Sequence, residues 1–97
     1  MRRSRLAQKL RQIRLTMGLT QQEMLDRLGD TQTRLYRGHI GEYETGNRQP
    51  PMLVLLQYAR VAGVPMEMLV DDDIDLPERF PGMPEYERMM KRVRARQ

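Results

Sequence analysis

The sequence contains no cysteine and only one histidine, His39. The absence of cysteine excludes disulfides, thiolate metal sites and cysteine nucleophiles, and it leaves the redox compartment undetermined. A single histidine also argues against a metal centre. Because the chain has no serine, histidine and carboxylate arrangement and no phosphate-cradling glycine loop, we expect neither an enzyme nor a cofactor.

Long apolar runs are also missing from the chain, which is 39% hydrophobic and 31% charged. No segment approaches the length of a bilayer span or forms a secretory h-region, so we expect a cytoplasmic protein with no membrane partner. A chain of 97 residues has one modest core and little room for a second. We therefore predict one domain over residues 1–76 and a short tail over residues 77–97.

The net charge of +4 is distributed unevenly along the chain. Residues 1–48 hold 10 Lys and Arg against 5 Asp and Glu, residues 49–76 hold 1 against 5, and residues 77–97 hold 6 against 3. A basic N-terminal half fits a surface that faces nucleic-acid phosphates, because released counterions drive such association. The alternative is that these basic residues only form a soluble surface and face no nucleic acid.

Two short helices are predicted within the first 29 residues. Ser4 can cap the first helix, and Gly18 supplies a left-handed stop after it. Thr20 followed by Glu23 is a capping box for a second helix, which ends before Gly29. The apolar residues at helical spacing are Leu6, Leu10, Ile13 and Met17 in the first helix and Met24, Leu25 and Leu28 in the second.

A third helix is predicted to begin between Arg34 and Arg37 and to end at Thr45. Gly46 would be the left-handed residue that follows it. The stretch before this helix, residues 30–33, is polar and typical of a turn.

Two more helices complete an all-α domain that has no strand signal. Pro51 suits the first position of a fourth helix that ends at Gly63, and Pro65 begins a short fifth helix through Val70. Residues 71–75 are acidic and predict a solvated stop. The apolar stripe of the fourth helix is Met52, Leu55, Leu56, Ala59 and Ala62.

Beyond Leu76, prolines exclude regular structure until a possible basic helix from Glu85 to Arg96. An isolated helix of about three turns is marginal in water, so this one would dock, pair with a partner or fray.

The order of these signals resembles the lambda-repressor-like helix-turn-helix family, which includes Cro and the phage 434 repressor. The resemblance covers about residues 6–70 and implies five helices, of which the third reads the major groove of DNA. The matching residues are Leu10, Ile13, Arg14, Gly18, Leu19, Thr20, Gln21, Glu23, Leu28, Gly29, Ile40, Tyr43, Glu44, Gly46, Arg48, Pro50, Leu55, Leu56, Ala59, Gly63, Val64 and Leu69.

The resemblance also implies roles for individual residues. By position, it implies base-reading residues at the start of the third helix and one turn later, namely Arg37, Gly38, His39 and Glu42. It implies phosphate contacts at the start of the second helix and after the third, by Gln21, Asn47 and Arg48. Arg14 and Glu44 match a structural ion pair that joins the first helix to the third, and the alternative for Arg14 is a phosphate contact.

The connection between the second and third helices departs from the family pattern. Ten residues lie between Gly29 and Ile40, so the tight turn of the family is lengthened. Either residues 30–35 form an inserted loop, or the third helix begins a turn early at a Thr33 cap. Such an insert can also bring Arg34 and Tyr36 to the DNA backbone as phosphate contacts.

Gly38 and Gly41 are unusual in a short recognition helix, because glycine costs roughly 1 kcal/mol relative to alanine in a helix interior. Either the helix backbone approaches the groove wall closely, or the helix begins only at about His39. Glu42 could accept from a cytosine amino group, repel phosphates or pair with Arg37.

These features favour a sequence-specific, double-stranded DNA-binding transcriptional regulator of prokaryotic or phage type, located at the nucleoid. It would act as a homodimer on a pseudo-palindromic operator. The alternative is a DNA-binding antitoxin or adaptor whose residues 77–97 bind a protein partner, because Tyr86, Met89, Met90 and Val93 lie in the basic tail. Binding of structured RNA is a third possibility.

Overall fold

The computed structural model describes residues 4–82, which contain five α-helices and no strand. The predicted all-α fold is therefore confirmed. None of the helices in this range is long and apolar enough to cross a membrane. The helices are α1 (Leu6–Thr16), α2 (Gln21–Leu28), α3 (Arg37–Thr45), α4 (Met52–Ala62) and α5 (Glu67–Val70). The predicted helix from Glu85 to Arg96 lies outside the described residues.

The first two helices have most of the predicted end signals. The N-cap residue of α1 is Arg5 rather than Ser4, although the Ser4 hydroxyl accepts from the N–H of Leu6 at 3.2 Å. Gly18 follows α1 with a φ of +71°. At the start of α2, the N–H of Glu23 donates to the Thr20 hydroxyl at 3.1 Å. The N–H of Thr20 donates in return to the Glu23 carboxylate at 2.9 Å, which lowers the pKa of that carboxyl group.

The third helix begins at Arg37, directly after Tyr36 in extended conformation. The alternative of an early start at a Thr33 cap is therefore wrong. The alternative that leaves Gly38 outside the helix is also wrong, because Gly38 is the second helical residue. Gly46 ends α3 with a φ of +81°, as predicted.

The fourth and fifth helices begin slightly later than predicted. Pro51 precedes α4 as its extended N-cap residue, and Met52 is 73% exposed rather than part of the buried stripe. Similarly, α5 begins at Glu67, two residues after Pro65. Met52 and Leu53, the first two residues of α4, are thus exposed. The buried face of α4 consists of Val54, Leu55, Tyr58, Ala59 and Ala62.

The core extends past Leu76, where the sequence predicts the end of the domain. Phe80 is completely buried in the same hydrophobic cluster as the helices. The N–H of Gly82 donates to the carbonyl of Ala62 at 3.0 Å, and a Cβ at Gly82 would stand only 1.9 Å from the Val61 carbonyl oxygen. The packed unit therefore continues at least to Gly82. A segment without regular secondary structure can still bury an aromatic side chain in the core.

The acidic segment after α5 keeps Asp71, Asp73 and Asp75 exposed, as predicted, but its backbone is also docked on α1. Lys9 is 2% exposed, and its ammonium donates to the carbonyls of Met68, Asp71 and Ile74 at 2.6–2.8 Å. Arg5 also contacts this segment, through Asp72 and Asp75. The prediction missed this contact because its partners lie at least 59 residues from Lys9 in sequence.

Candidate nucleic-acid interface

A buried ion pair fixes α3 relative to α1. The Arg14 guanidinium donates through Nε and a terminal nitrogen to the two carboxylate oxygens of Glu44, at 2.7 and 2.8 Å. Its other terminal nitrogen donates to the carbonyl of Leu19, just before α2, at 3.0 Å. The hydrogen bond to Glu44 raises the pKa of Arg14.

This pairing makes Arg14 a poor candidate for a phosphate contact. The side chains of Arg14 and Glu44 are only 13% and 3% exposed, and all three guanidinium nitrogens already donate within the domain. The pair therefore has the architectural position that the family resemblance implies. It ties the start of α2 and the end of α3 to the same point on α1.

The exposed side of α3 forms a continuous surface with the start of α2. Ile40, Tyr43 and Glu44 face the interior, whereas Arg37 and Gly38 are exposed. The Gln21 amide lies against α3, because a Cβ at Gly41 would stand 3.4 Å from the amide nitrogen. Gly41 therefore leaves room for contact between the two helices, a reason that the sequence alone did not indicate.

The start of α3 is organised by a histidine and two tyrosines. The N–H of Tyr36 donates to Nδ1 of His39 at 2.9 Å, so His39 caps the helix from its third position. The centroid of the His39 ring lies 5.8 Å from that of Tyr36 and 6.3 Å from that of Tyr43. The Arg34 guanidinium carbon lies 5.5 Å from the centroid of the Tyr36 ring.

The lengthened connection is an inserted loop with its own hydrogen bonds, as one of the two alternatives predicted. The N–H of Gln32 donates to the Asp30 carboxylate at 2.9 Å, and the Thr31 hydroxyl donates to the Thr33 carbonyl at 2.8 Å. The Gln57 amide of α4 donates to the Asp30 carbonyl at 2.8 Å. Leu35 packs against the core. The loop therefore places Arg34 and Tyr36 beside the start of α3 in exposed positions.

The end of α3 carries a second charged pair. The Glu42 carboxylate accepts from Nε of Arg48, which raises the pKa of Arg48. The alternative in which Glu42 pairs with Arg37 is therefore wrong. The N–H groups of Asn47 and Arg48 both donate to the Glu42 carbonyl, at 3.0 and 3.2 Å. Arg37 forms no ion pair among residues 4–82, so its guanidinium is available to a ligand.

The candidate contact residues are all at least partly accessible, in contrast to the buried Arg14 and Glu44 pair. Within residues 4–82, no group of histidines and carboxylates could hold a metal ion. The exposed candidates are Arg34, Tyr36, Arg37, Gly38, Asn47 and Arg48, and the partly exposed ones are Gln21, His39 and Glu42.

A helix-turn-helix family model matches residues 10–69, a span that runs from α1 to α5 and includes the whole candidate interface. The chain belongs to the lambda-repressor-like helix-turn-helix family. This helix-turn-helix protein is therefore a DNA-binding domain of a class that regulates transcription. No curated protein and no solved structure matches the chain.

Proposed function

We propose that this helix-turn-helix protein is a sequence-specific transcriptional regulator that inserts α3 into the major groove of double-stranded DNA. The observation that carries this proposal is the exposed start of α3, where an unpaired Arg37 lies beside a glycine and a partly exposed histidine. The buried pair of Arg14 and Glu44 supports the helix from the opposite side. A cationic, preorganised helix end is suited to reading base edges.

The chemistry at the start of α3 supports the proposed base-reading roles. Arg37 can donate two hydrogen bonds to O6 and N7 of a guanine. Nothing lies within 4 Å of a Cβ placed at Gly38, so the backbone there is open to close approach by DNA. His39 and Glu42 complete the base-reading group, one at the third helical position and one a turn later.

The phosphate contacts are proposed on either side of this group. Gln21 at the start of α2 makes no hydrogen bond through its amide within residues 4–82, so that amide is available to a phosphate. Arg48 is oriented by Glu42 while 55% of its side chain remains exposed. The complete proposed set for the phosphates is Gln21, Arg34, Tyr36, Asn47 and Arg48.

We further propose that two copies bind a pseudo-palindromic operator. The support is the two-fold arrangement that the family resemblance implies, in which each protomer reads one half-site. Half-site centres would then lie about 34 Å apart, which is one turn of the double helix. Sedimentation of the protein with DNA of one and two half-sites would show whether one or two copies bind.

Selection from random duplex DNA with the full chain tests the proposal, followed by binding to the enriched site over a series of salt concentrations. We expect one enriched motif with two-fold symmetry, and an affinity that falls steeply with salt because each neutralised phosphate releases counterions. Duplex RNA of the same length is the competitor control and should not compete. The absence of an enriched motif, or a salt slope near zero, would falsify the proposal.

A further inference from the structure

His39 uses one of its two ring nitrogens inside the protein and leaves the other free. The backbone N–H of Tyr36 points at Nδ1 from 2.9 Å, and a backbone N–H can only donate. Nδ1 must therefore carry the lone pair. In the neutral imidazole the proton is then on Nε2, so the free nitrogen is a hydrogen-bond donor.

The free nitrogen is accessible and its ring is held in place. Nε2 has no hydrogen-bond partner in the part of the chain that the structure describes. It is not fully buried, because the Tyr58 hydroxyl is the only fully buried side-chain polar atom without a partner in that part. The hydrogen bond at Nδ1 orients the imidazole, and the rings of Tyr36 and Tyr43 flank it at interplanar angles of 28° and 27°. The ring therefore presents its Nε2–H in a direction set by that hydrogen bond.

We infer that His39 sets the polarity of one base contact, by donating from Nε2–H to an acceptor on a base edge in the major groove. This inference rests on the proposed function, in which the start of α3 faces the bases. The acceptors exposed there are N7 of the purines, O6 of guanine and O4 of thymine. The amino groups of adenine and cytosine are donors, so they do not fit this contact.

The tautomer can be tested without DNA, because His39 is the only histidine of the chain. Nitrogen-15 NMR of the untagged full chain, recorded above neutral pH, reports which ring nitrogen is protonated. We expect Nε2 to be protonated and Nδ1 to carry the lone pair in essentially all molecules. A protonated Nδ1, or a mixture of tautomers like that of an exposed histidine, would overturn the inference.

Two variants separate the cap from the base contact. Glutamine and glutamate both suit the third helical position, because a side-chain oxygen of either can accept from the N–H of Tyr36. Only glutamine also offers a donor. We therefore expect His39→Gln to keep the preference for an acceptor-bearing base, whereas His39→Glu should replace it by a preference for cytosine, whose amino group donates to carboxylates.

The readout is the base profile at each position, obtained by random-site selection on the wild type and both variants. The discrimination at the affected position should change by about 5- to 150-fold in His39→Glu, the range of one base contact. If both variants bound all sequences more weakly by the same factor, His39 would be a phosphate contact. That result would overturn the inference. A wild type that enriches no motif overturns the proposed function as well, while an unchanged profile in both variants overturns only this inference.

Discussion

At the scale of single residues, charged side chains make the contacts that hold α3 in place. Arg14 and Glu44 form a bidentate pair that is almost completely removed from solvent. A buried pair contributes little net free energy, but removal of one partner leaves an uncompensated charge. Orientation of α3 is therefore more sensitive to loss of one partner than to replacement of both by apolar residues.

A double-mutant cycle on this pair tests that sensitivity. Arg14→Met and Glu44→Leu should each lower the free energy of unfolding by roughly 3 kcal/mol, the lower end for buried pairs, because Arg14 keeps some solvent contact. The double variant should lose clearly less than the sum of the two. Urea unfolding measures all four proteins, and additive losses would show that the two charges do not depend on each other.

A second residue-scale prediction concerns pH and Glu23. Its pKa in the folded protein is lowered by the hydrogen bond from the Thr20 N–H, so the ionised form favours folding. This contribution is present above the unfolded pKa and is lost as the pH falls through the folded pKa. Urea unfolding over a pH series should show a smaller acid-induced loss of stability in Glu23→Gln, which can keep the cap without titrating. Identical pH profiles for the two proteins would contradict this account of the cap.

At the scale of the helices, the two ends of α3 are fixed by different means. The inserted loop and the cap of His39 fix the start, whereas Gly46 and the carbonyl contacts of Asn47 and Arg48 fix the end. Gly38 lies in the first turn, where it weakens the helix without making any packing contact. A glycine at this position fits the proposed close approach of DNA to the helix backbone.

Replacement of Gly38 by alanine should therefore separate stability from binding. Gly38→Ala should raise the free energy of unfolding by about 0.5 kcal/mol, because alanine restricts the unfolded chain and nothing obstructs its methyl group. The same methyl group should weaken DNA binding by preventing close approach of the backbone. Thermal unfolding and titration with the selected operator measure the two effects.

The matched control is Thr16→Ala, a helix-favouring substitution at the last residue of α1, outside the proposed interface. This variant should keep full DNA affinity. Unchanged affinity in Gly38→Ala would show that the glycine has no role at the groove.

The contact between α1 and the segment after α5 depends on Lys9. Lys9→Met keeps most of the apolar stem but leaves three carbonyls without their donor, so we expect a loss of more than about 3 kcal/mol in the free energy of unfolding. Arg11→Met, on the exposed side of the same helix, should change it by less than about 0.5 kcal/mol. Equal effects in urea unfolding would mean that the Lys9 contacts do not stabilise the fold.

The sequence predicted those parts of the fold that depend on local chemistry. The capping box of Thr20 and Glu23 and the stops at Gly18 and Gly46 are decided within one helical turn, and all are present. The docking of Lys9 and the burial of Phe80 depend on residues distant in sequence, so local pattern gave no signal for them.

For the candidate site, the resemblance supplied positions but not the contacts between side chains. The pairing of Glu42 with Arg48 instead of Arg37 depends on how the chain turns after α3. The cap by His39 could have been suspected from its position three residues after Tyr36, although glutamate and glutamine are the usual residues there.

At the scale of the whole molecule, the charge of the N-terminal half is not all available to a ligand. Four of its basic residues contact acidic side chains or carbonyls within the domain, namely Arg5, Lys9, Arg14 and Arg48. The acidic residues after α5 are partly neutralised by the same contacts. The cations left for DNA at the candidate interface are therefore few: Arg34 and Arg37 have no ion-pair partner among the described residues, whereas Arg48 is paired with Glu42.

The base profile of Arg37→Ala tests the reading of DNA by α3 most directly. We expect its random-site selection to lose the preference at one position of each half-site, at a cost of roughly 1 to 3 kcal/mol on the wild-type operator. Arg34→Ala removes an exposed arginine that is proposed to contact a phosphate and that pairs with no carboxylate among the described residues, so it should weaken binding to all sequences alike. An Arg37→Ala protein with the wild-type profile at every position would contradict the account.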